Sequence, residues 1–176
     1  ELTNALKELG MRNATMKMDI TPRTEPDSTG ADKVTFLFSA NKNVPPQNVS
    51  DIASGGEIAR LMLALKALIA RRTALPTIVF DEIDTGVSGT MAESMARVMK
   101  QIAANCQVLC ITHLPQIAAL GTHHFKVYKE DSQDTTRSHI IPLTNNERIE
   151  EIAHMLSGAE ITEAAIDNAK ALLKTK

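Results

Sequence analysis

The segment from residue 77 to residue 112 constrains the fold more than any other part of the sequence. It reads as a buried strand, TIVF, then a helix opened by a capping box of Thr90 and Glu93, then a second strand, QVLCIT. Two strands joined through a helix lie parallel, with a right-handed crossover. The segment therefore predicts an α/β fold built on parallel strands.

Helices and hairpins are predicted on both sides of this unit. Alternating apolar residues in MKMDITP and KVTFLFSA, with turn-forming residues between them, indicate an antiparallel hairpin. A helical apolar stripe over residues 57–72 indicates a largely buried helix that ends in two arginines. The members of this stripe are Ile58, Leu61, Met62, Leu65, Leu68 and Ile69. After residue 112 the sequence predicts a short helix over residues 116–120, a hairpin of HFKVYKE with HIIPL, and two terminal helices.

Leucines at helical spacing mark the start of the chain. Leu2, Leu6 and Leu9 predict a short helix that stops at Gly10. This piece is either the end of a longer helix or an ordinary surface helix. Because the first residue is Glu1 and not Met, we expect the chain to be part of a longer protein.

Composition narrows the classes of function. The formal net charge of −2 argues neither for nor against nucleic acid, because a basic patch can be hidden in a neutral sum. The absence of Trp, with one Tyr and four Phe, argues against a base-stacking platform. No apolar run reaches membrane-spanning length, so no membrane partner is expected. Cys106 and Cys110 are expected to be reduced thiols packed in the core of a cytoplasmic protein.

Three acids follow the first predicted strand within four positions. Asp81, Glu82 and Asp84 come after IVF, while Thr112 and His113 end the second strand. Open α/β sheets bind ligands at the carboxyl ends of their strands. An apolar strand that ends in Asp-Glu is typical of Walker B nucleotide hydrolases, in which the Asp holds Mg²⁺ through water and the Glu polarises the attacking water. The alternative interpretation is that these acids only solvate a turn between strand and helix.

A glycine pair lies where the buried helix is predicted to begin. The sequence SGGE consists of Ser54, Gly55, Gly56 and Glu57. Glycines let the backbone N–H groups of a helix N-terminus approach an anion, which the helix dipole also favours. The hydroxyl of Ser54 adds a further donor. A plain Ser-Gly-Gly turn with a helix cap is the alternative interpretation.

The order of these segments resembles the C-terminal lobe of the heads of ABC-type ATPases. SGGE matches the signature motif, IVFDE the Walker B motif, and ITH the switch histidine, here His113. TGVS matches the D-loop, with the residues Thr85, Gly86, Val87 and Ser88. Two positions depart from the common pattern. Glu57 replaces a frequent Gln, and Ser88 stands where a D-loop often has Asp.

Longer blocks narrow the resemblance to the RecN family of bacterial DNA repair proteins, which are related to the SMC ATPases. They are DIASGGEIARLMLALKAL, TIVFDEIDTGVSGTMAESMARVM and VLCITHLPQIAALGTHHFKVYKE, and their most specific parts are DEIDTGVSG and HLPQIAALG. The resemblance implies the C-terminal half of an ABC-type P-loop ATPase head, with parallel strands, flanking helices and β-hairpins. It also implies that residues 1–12 end a coiled-coil helix and that residues 13–176 form the lobe.

The same resemblance implies a division of roles around ATP and Mg²⁺. Asp81 would hold Mg²⁺ through water, and Glu82 and His113 would be catalytic toward the ATP of their own head. Residues 54–57 would reach the γ-phosphate that is bound by a second head. The P-loop pattern G-x-x-x-x-G-K-[ST] does not occur in these 176 residues, and the resemblance assigns it to an N-terminal lobe beyond a coiled coil.

The expected function is ATP hydrolysis in the repair and recombination of DNA double-strand breaks. The expected partners are the protein's own N-terminal P-loop lobe, a second copy of the head in an ATP-dependent dimer, and DNA. The expected location is the bacterial cytoplasm, in association with the nucleoid. Two alternatives are a non-catalytic interaction lobe and the equivalent lobe of a transporter ATPase, against which the block DEIDTGVSG speaks.

Overall fold

The computed structural model describes residues 1–52, 54–132, 135–158 and 160–174, and it contains the predicted strand–helix–strand unit. The strands Thr77–Asp81 and Gln107–Ile111 are hydrogen-bonded neighbours, joined through the helix Thr90–Ala103. They are parallel, and Ile78 and Phe80 of the first strand are buried. This arrangement confirms the α/β class predicted from the sequence.

The chain divides into two units, Glu1–Cys110 and Ile111–Lys176. The elements that begin in the first unit are α1 (Leu2–Glu8), β1 (Thr15–Asp27), β2 (Gly30–Ser39), β3 (Gln47–Asn48), α2 (Gly55–Thr73), β4 (Thr77–Asp81), α3 (Thr90–Ala103) and β5 (Gln107–Ile111). Those of the second unit are α4 (Pro115–Leu120), β6 (Phe125–Asp131), β7 (Thr136–Pro142), α5 (Asn145–Ser157) and α6 (Glu163–Lys174).

Strands β1 and β2 form the first predicted hairpin. Their paired length exceeds the stretch of alternating apolar residues. Cross-strand pairing places Met18 opposite Phe36 and Ile20 opposite Val34, so the alternating apolar residues lie on one face. All four are about half exposed, whereas Phe38, near the end of β2, is 2% exposed. Between β2 and α2, the short strand β3 pairs with β2, and a 3-10 turn follows it. The sequence did not indicate either element.

Helix α2 buries a face that overlaps only partly with the predicted one, since Leu61 is common to both. Its buried residues are Leu61, Leu63, Ala64, Ala67 and Ala70. Met62 and Ile69, which belong to the predicted stripe, are exposed. The alanines explain the difference, since short side chains allow neighbouring elements to approach closely. Helix α2 packs against α1, where Leu6 is fully buried, and against α3.

Helix α3 does not begin with the capping box predicted from Thr90 and Glu93. Its N-cap is Gly89, with φ 56°, and no side chain caps the helix. Glycine takes this left-handed conformation at no steric cost, so the chain turns into the helix one residue earlier than predicted. A capping box is present instead at the start of α5, between Thr144 and Glu147.

The second unit contains the predicted hairpin and the two predicted terminal helices. Strands β6 and β7 pair antiparallel, with Val127 opposite Ile140. A buried core cluster of this unit contains Ala119, Ile152, Ala153, Ala165 and Ala169, contributed by α4, α5 and α6. Within the described part of the chain, no helix combines the length and apolar character needed to cross a membrane.

Arg148 is a buried cation in α5, with 5% of its surface exposed. Its guanidinium donates hydrogen bonds to the carbonyl oxygens of Gly121 at 2.6 Å and Thr122 at 3.3 Å. These carbonyls directly follow α4, where backbone oxygens lack helical partners and a cation is favourable. Arg148 therefore ties α5 to the end of α4.

Replacing Arg148 should destabilise the chain through these two carbonyl groups. We expect Arg148→Met to lower the free energy of unfolding by about 2 kcal/mol or more, because a buried acceptor without a donor is costly. Urea unfolding followed by circular dichroism measures the effect. Arg97→Met, on the exposed surface of α3, is the matched control. Equal unfolding midpoints for the two variants would contradict this role of Arg148.

Candidate functional site

Helix α2 begins at the glycine pair, as the sequence predicts. Ser54 is the N-cap: its carbonyl oxygen accepts hydrogen bonds from the N–H groups of Glu57 and Ile58, both at 3.1 Å, while its hydroxyl does not cap the helix. Gly55 is exposed, its φ is not left-handed, and a Cβ there would have no neighbour within 4 Å. The turn therefore does not require glycine at position 55. The open N-terminus of a 19-residue helix is a favourable place for an anion.

Asp81 and Glu82 lie at the carboxyl end of β4, and both are exposed. Glu82 has φ 45°, a left-handed conformation that is uncommon for a residue other than glycine and costs about 1–3 kcal/mol where it persists. Its carbonyl oxygen accepts two hydrogen bonds from Thr85, from the backbone N–H at 3.3 Å and from the hydroxyl at 2.9 Å. A closed turn thus holds Glu82 in a conformation that the chain would not otherwise favour.

The third acid of the cluster is separated from the other two by burial. Asp84 has no exposed surface, in contrast to Asp81 and Glu82. Burial and the charge of Asp84 raise the pKa of the Cys110 thiol to about 11. That thiol stays protonated at neutral pH. Cys106 and Cys110 are free thiols, as predicted, but both are half-buried and not fully packed in the core. The three acids therefore form an exposed pair and one interior carboxylate.

The glycine pair and the D-loop segment, residues 85–88, meet through their backbones. A Cβ at Gly56 would lie 3.1 Å from the carbonyl oxygen of Gly86, and a Cβ at Gly86 would lie 3.5 Å from the nitrogen of Gly56. Gly86 has φ 74°, while the neighbouring Val87 is buried. A side chain at Gly56 would therefore crowd the Gly86 carbonyl oxygen, whereas a Cβ at Gly86 would make an ordinary contact. This contact could not be predicted from the sequence, because it joins residues 30 positions apart.

His113 follows β5 and is exposed. It belongs to the second unit, where the hydroxyl of the preceding Thr112 accepts a hydrogen bond from the N–H of Leu114 at 3.0 Å. Pro115 then occupies the first turn of α4. The strand therefore ends in a short polar turn, and His113 lies within it.

The carboxylates suit a cation that is shared with water and phosphate. In the described ranges there is no group of three or more His, Cys, Asp or Glu side chains arranged to hold a metal ion. Mg²⁺ is commonly held by one or two carboxylates, water and substrate phosphates, and not by a cage of side chains. Asp81 and Glu82, exposed together at the end of β4, fit that mode.

The fold is similar to that of part of the SMC ATPase heads. No protein-family model matches the sequence. The Smc head domain of Pyrococcus yayanosii, with its coiled coil and joint, matches 89% of this chain at a TM-score of 0.69 and 17% identity, over 28% of its own length. A chain from a study of ATP-driven dimerisation and DNA-stimulated activation of SMC ATPases matches 90% of this chain over 91% of its own, at a TM-score of 0.61 and 17% identity.

The sequence is similar to that of DNA repair proteins named RecN, as its motifs indicated. It is 39% identical to the DNA repair protein RecN of Haemophilus influenzae over 173 residues and 43% identical to that of Deinococcus radiodurans over 172 residues. Each match covers 98% of this chain. The chain spans 31% and 30%, respectively, of the length of these two curated relatives.

Proposed function

We propose that this chain is the C-terminal lobe of an ATP-hydrolysing, SMC-like head that acts in the repair and recombination of DNA double-strand breaks. The observation that carries the proposal is the open N-terminus of α2 at Gly55, combined with the exposed Asp81–Glu82 pair in an SMC head fold. Residues 1–12 would end a coiled coil, and residues 13–176 would form the lobe. We place the complete protein in the bacterial cytoplasm, associated with the nucleoid and with DNA as a partner.

In this proposal Glu82 and Asp81 perform different tasks at the ATP of their own head. Mg²⁺, when bound with ATP, neutralises charge on the phosphates. The carboxylate of Asp81 would hold that ion through water, and the carboxylate of Glu82 would accept a proton from the attacking water. The exposure of both side chains supports these roles. His113 would contact the γ-phosphate from the turn after β5.

The glycine pair would serve the ATP of a second head. Ser54 offers a hydroxyl, and Gly55 and Gly56 offer backbone N–H groups at the positive end of the α2 dipole. These donors would bind the γ-phosphate across the interface between two heads, with Glu57 in the first turn behind them. ATP would then hold two copies of the head together.

Exposed apolar surface supports a partner lobe within the same protein. Parallel sheets are normally covered on both faces, and a two-stranded sheet is marginal alone. Val79 of β4 and Leu109 of β5 are nevertheless 49% and 48% exposed. The apolar face of the first hairpin is also about half exposed. We propose that the N-terminal P-loop lobe covers these surfaces. The same exposed surfaces are also the strongest argument for the alternative, in which this chain is a non-catalytic interaction lobe.

The affinity of the isolated chain for ATP shows whether this lobe needs the P-loop lobe in order to bind nucleotide. We expect the purified 176 residues to hydrolyse no ATP above background and to bind it only weakly, because the P-loop normally supplies most phosphate contacts. Calorimetry measures the affinity. Adding the separately produced N-terminal part of the protein should form a complex that binds ATP tightly and hydrolyses it. Micromolar ATP binding by the chain alone would contradict the assignment, and an assembled complex without turnover would favour a non-catalytic lobe.

A further inference from the structure

A cleft of about 410 Å³ lies in the second unit, where β6 begins, β7 ends and α5 starts. Its polar lining includes the guanidinium of Arg148, the imidazoles of His123 and His124, and the amide of Asn145. Among the described residues, no acidic side chain lines this cleft. Its size and its donor groups suit a small anionic molecule. The hydrolysis of ATP proposed above uses none of these residues.

Arg148 brings a positive charge to the cleft without a carboxylate to balance it. The side chain is 5% exposed, and two backbone carbonyl oxygens accept hydrogen bonds from its Nη atoms. Its Nε is buried and makes no hydrogen bond to the described residues, and no carboxylate among them forms an ion pair with the guanidinium. A buried charge is costly unless an opposite charge compensates it. Water satisfies a free N–H but does not balance a charge, so this arrangement favours an anionic ligand.

His124 lies in the same cleft and is half-buried. Burial and the charge of Arg148 lower the pKa of its imidazole, whereas the charge of Glu151 acts in the opposite direction. The imidazole is therefore neutral at neutral pH and donates through one nitrogen only. Its Nδ1 is buried and has no hydrogen-bond partner in the described part of the chain. His124 thus adds a second polar group to the cleft whose hydrogen bonds are not used by its neighbours.

The acids of α5 that lie close in sequence to Arg148 are engaged elsewhere. The carboxylate of Glu147 accepts hydrogen bonds from the N–H and the hydroxyl of Thr144, at 2.7 and 2.6 Å. The carboxylate of Glu151 pairs with Lys126. Neither acid lines the cleft, whereas Asn145, the first residue of the 13-residue helix α5, does. The positive end of the helix dipole therefore adds to the charge of Arg148.

We propose that this cleft binds a small organic phosphate ester, with its phosphate group beside Arg148 and His124. The three terminal oxygens of a phosphate suit a guanidinium, an imidazole and an amide that converge on one cleft better than a carboxylate does. The cleft is larger than a phosphate group alone, and Phe125, Pro142 and Leu143 give it an apolar wall for the organic part. This inference does not depend on the proposed function.

Ligand-observed NMR on the full-length protein tests the proposal, with phenyl phosphate as the probe. Saturating Mg²⁺ and a non-hydrolysable ATP analogue keep the probe out of the nucleotide sites. We expect phenyl phosphate to bind with a Kd of about 1 mM or below, as suits so small a ligand. Inorganic phosphate should displace it, and benzoate, a carboxylate of similar size, should bind at least about tenfold more weakly. The absence of phenyl phosphate binding, or equal binding of benzoate, would overturn the proposal.

Substitutions show whether the probe occupies this cleft. Arg148→Lys keeps the charge but loses the planar fork, and it should weaken the binding of phenyl phosphate more than about tenfold. His124→Leu removes a buried nitrogen that lacks a partner, so it should fold as stably as the wild type and still weaken binding about fivefold. His154→Leu makes the same change at an exposed position of α5 and should bind the probe as the wild type does. Wild-type affinity in His124→Leu would overturn the proposal, even if Arg148→Lys failed to fold.

Discussion

Glutamine at position 82 should lower ATP turnover by the full-length protein about 10²- to 10⁴-fold, the usual cost of losing a positioned base. Gln keeps the shape of Glu but does not accept a proton from water. The fold should be unaffected, because Glu82 is exposed and the turn around it is held through its backbone carbonyl. ATP binding should persist. Steady-state hydrolysis and nucleotide binding, measured on the same preparation, check both parts of this prediction.

Two further variants show whether the effect belongs to Glu82. Glu93→Gln changes an exposed glutamate in the first turn of α3 and should leave turnover unchanged. Asp81→Asn should act differently from Glu82→Gln by weakening the binding of Mg²⁺-ATP itself. Wild-type turnover by Glu82→Gln would show that another group is the base.

Aspartate at position 55 should abolish ATP-dependent dimerisation and hydrolysis while leaving the fold intact. The new carboxylate would occupy the open space over the start of α2 and repel a γ-phosphate there. The same charge in the first turn of a helix is favourable by about 0.3–1 kcal/mol, so the melting temperature should not fall. Each head should still bind ATP through its other lobe. Sedimentation with and without ATP, beside thermal unfolding, measures the two properties separately.

Asn145→Asp is the matched control for Gly55→Asp, because it adds the same charge to the exposed first residue of α5. It should dimerise with ATP as the wild type does. If the Gly55→Asp protein melts early but still dimerises, the glycine pair is only a structural turn. The observed conformation of Gly55, which is not left-handed, argues against that result.

The parts of the molecule that the sequence predicted are those set by local pattern. The strand that ends in Asp81, the helix that begins at the glycine pair and both hairpins follow from periodicity and turn-forming residues over short stretches. The candidate site could be found for the same reason, since its motifs are contiguous and occur in a fixed order. Their catalytic roles remain predictions.

The features that the sequence did not predict depend on contacts between distant segments or on one backbone angle. In the sequence nothing distinguishes Asp84 from the nearby acids Asp81 and Glu82, but packing buries Asp84 completely. The alanine-rich face of α2 is buried in place of Met62 and Ile69 because neighbouring elements approach the short side chains. The left-handed φ of Gly89 moved the start of α3. The Gly56–Gly86 contact is of the same kind, as two glycines do not reveal in sequence that they touch.

Mixing two inactive variants of the full-length protein tests the central claim that each ATP site combines Glu82 of one head with the glycine pair of another. Glu82→Gln keeps an intact glycine pair, and Gly55→Asp keeps an intact Glu82, so each variant should be inactive alone. Their mixture should recover turnover, because a mixed dimer keeps one complete site of two. If half of the dimers are mixed, the recovery is about a quarter of the wild-type value. A mixture as inactive as its components would contradict the claim, because it would mean that each site takes Glu82 and the glycine pair from the same head.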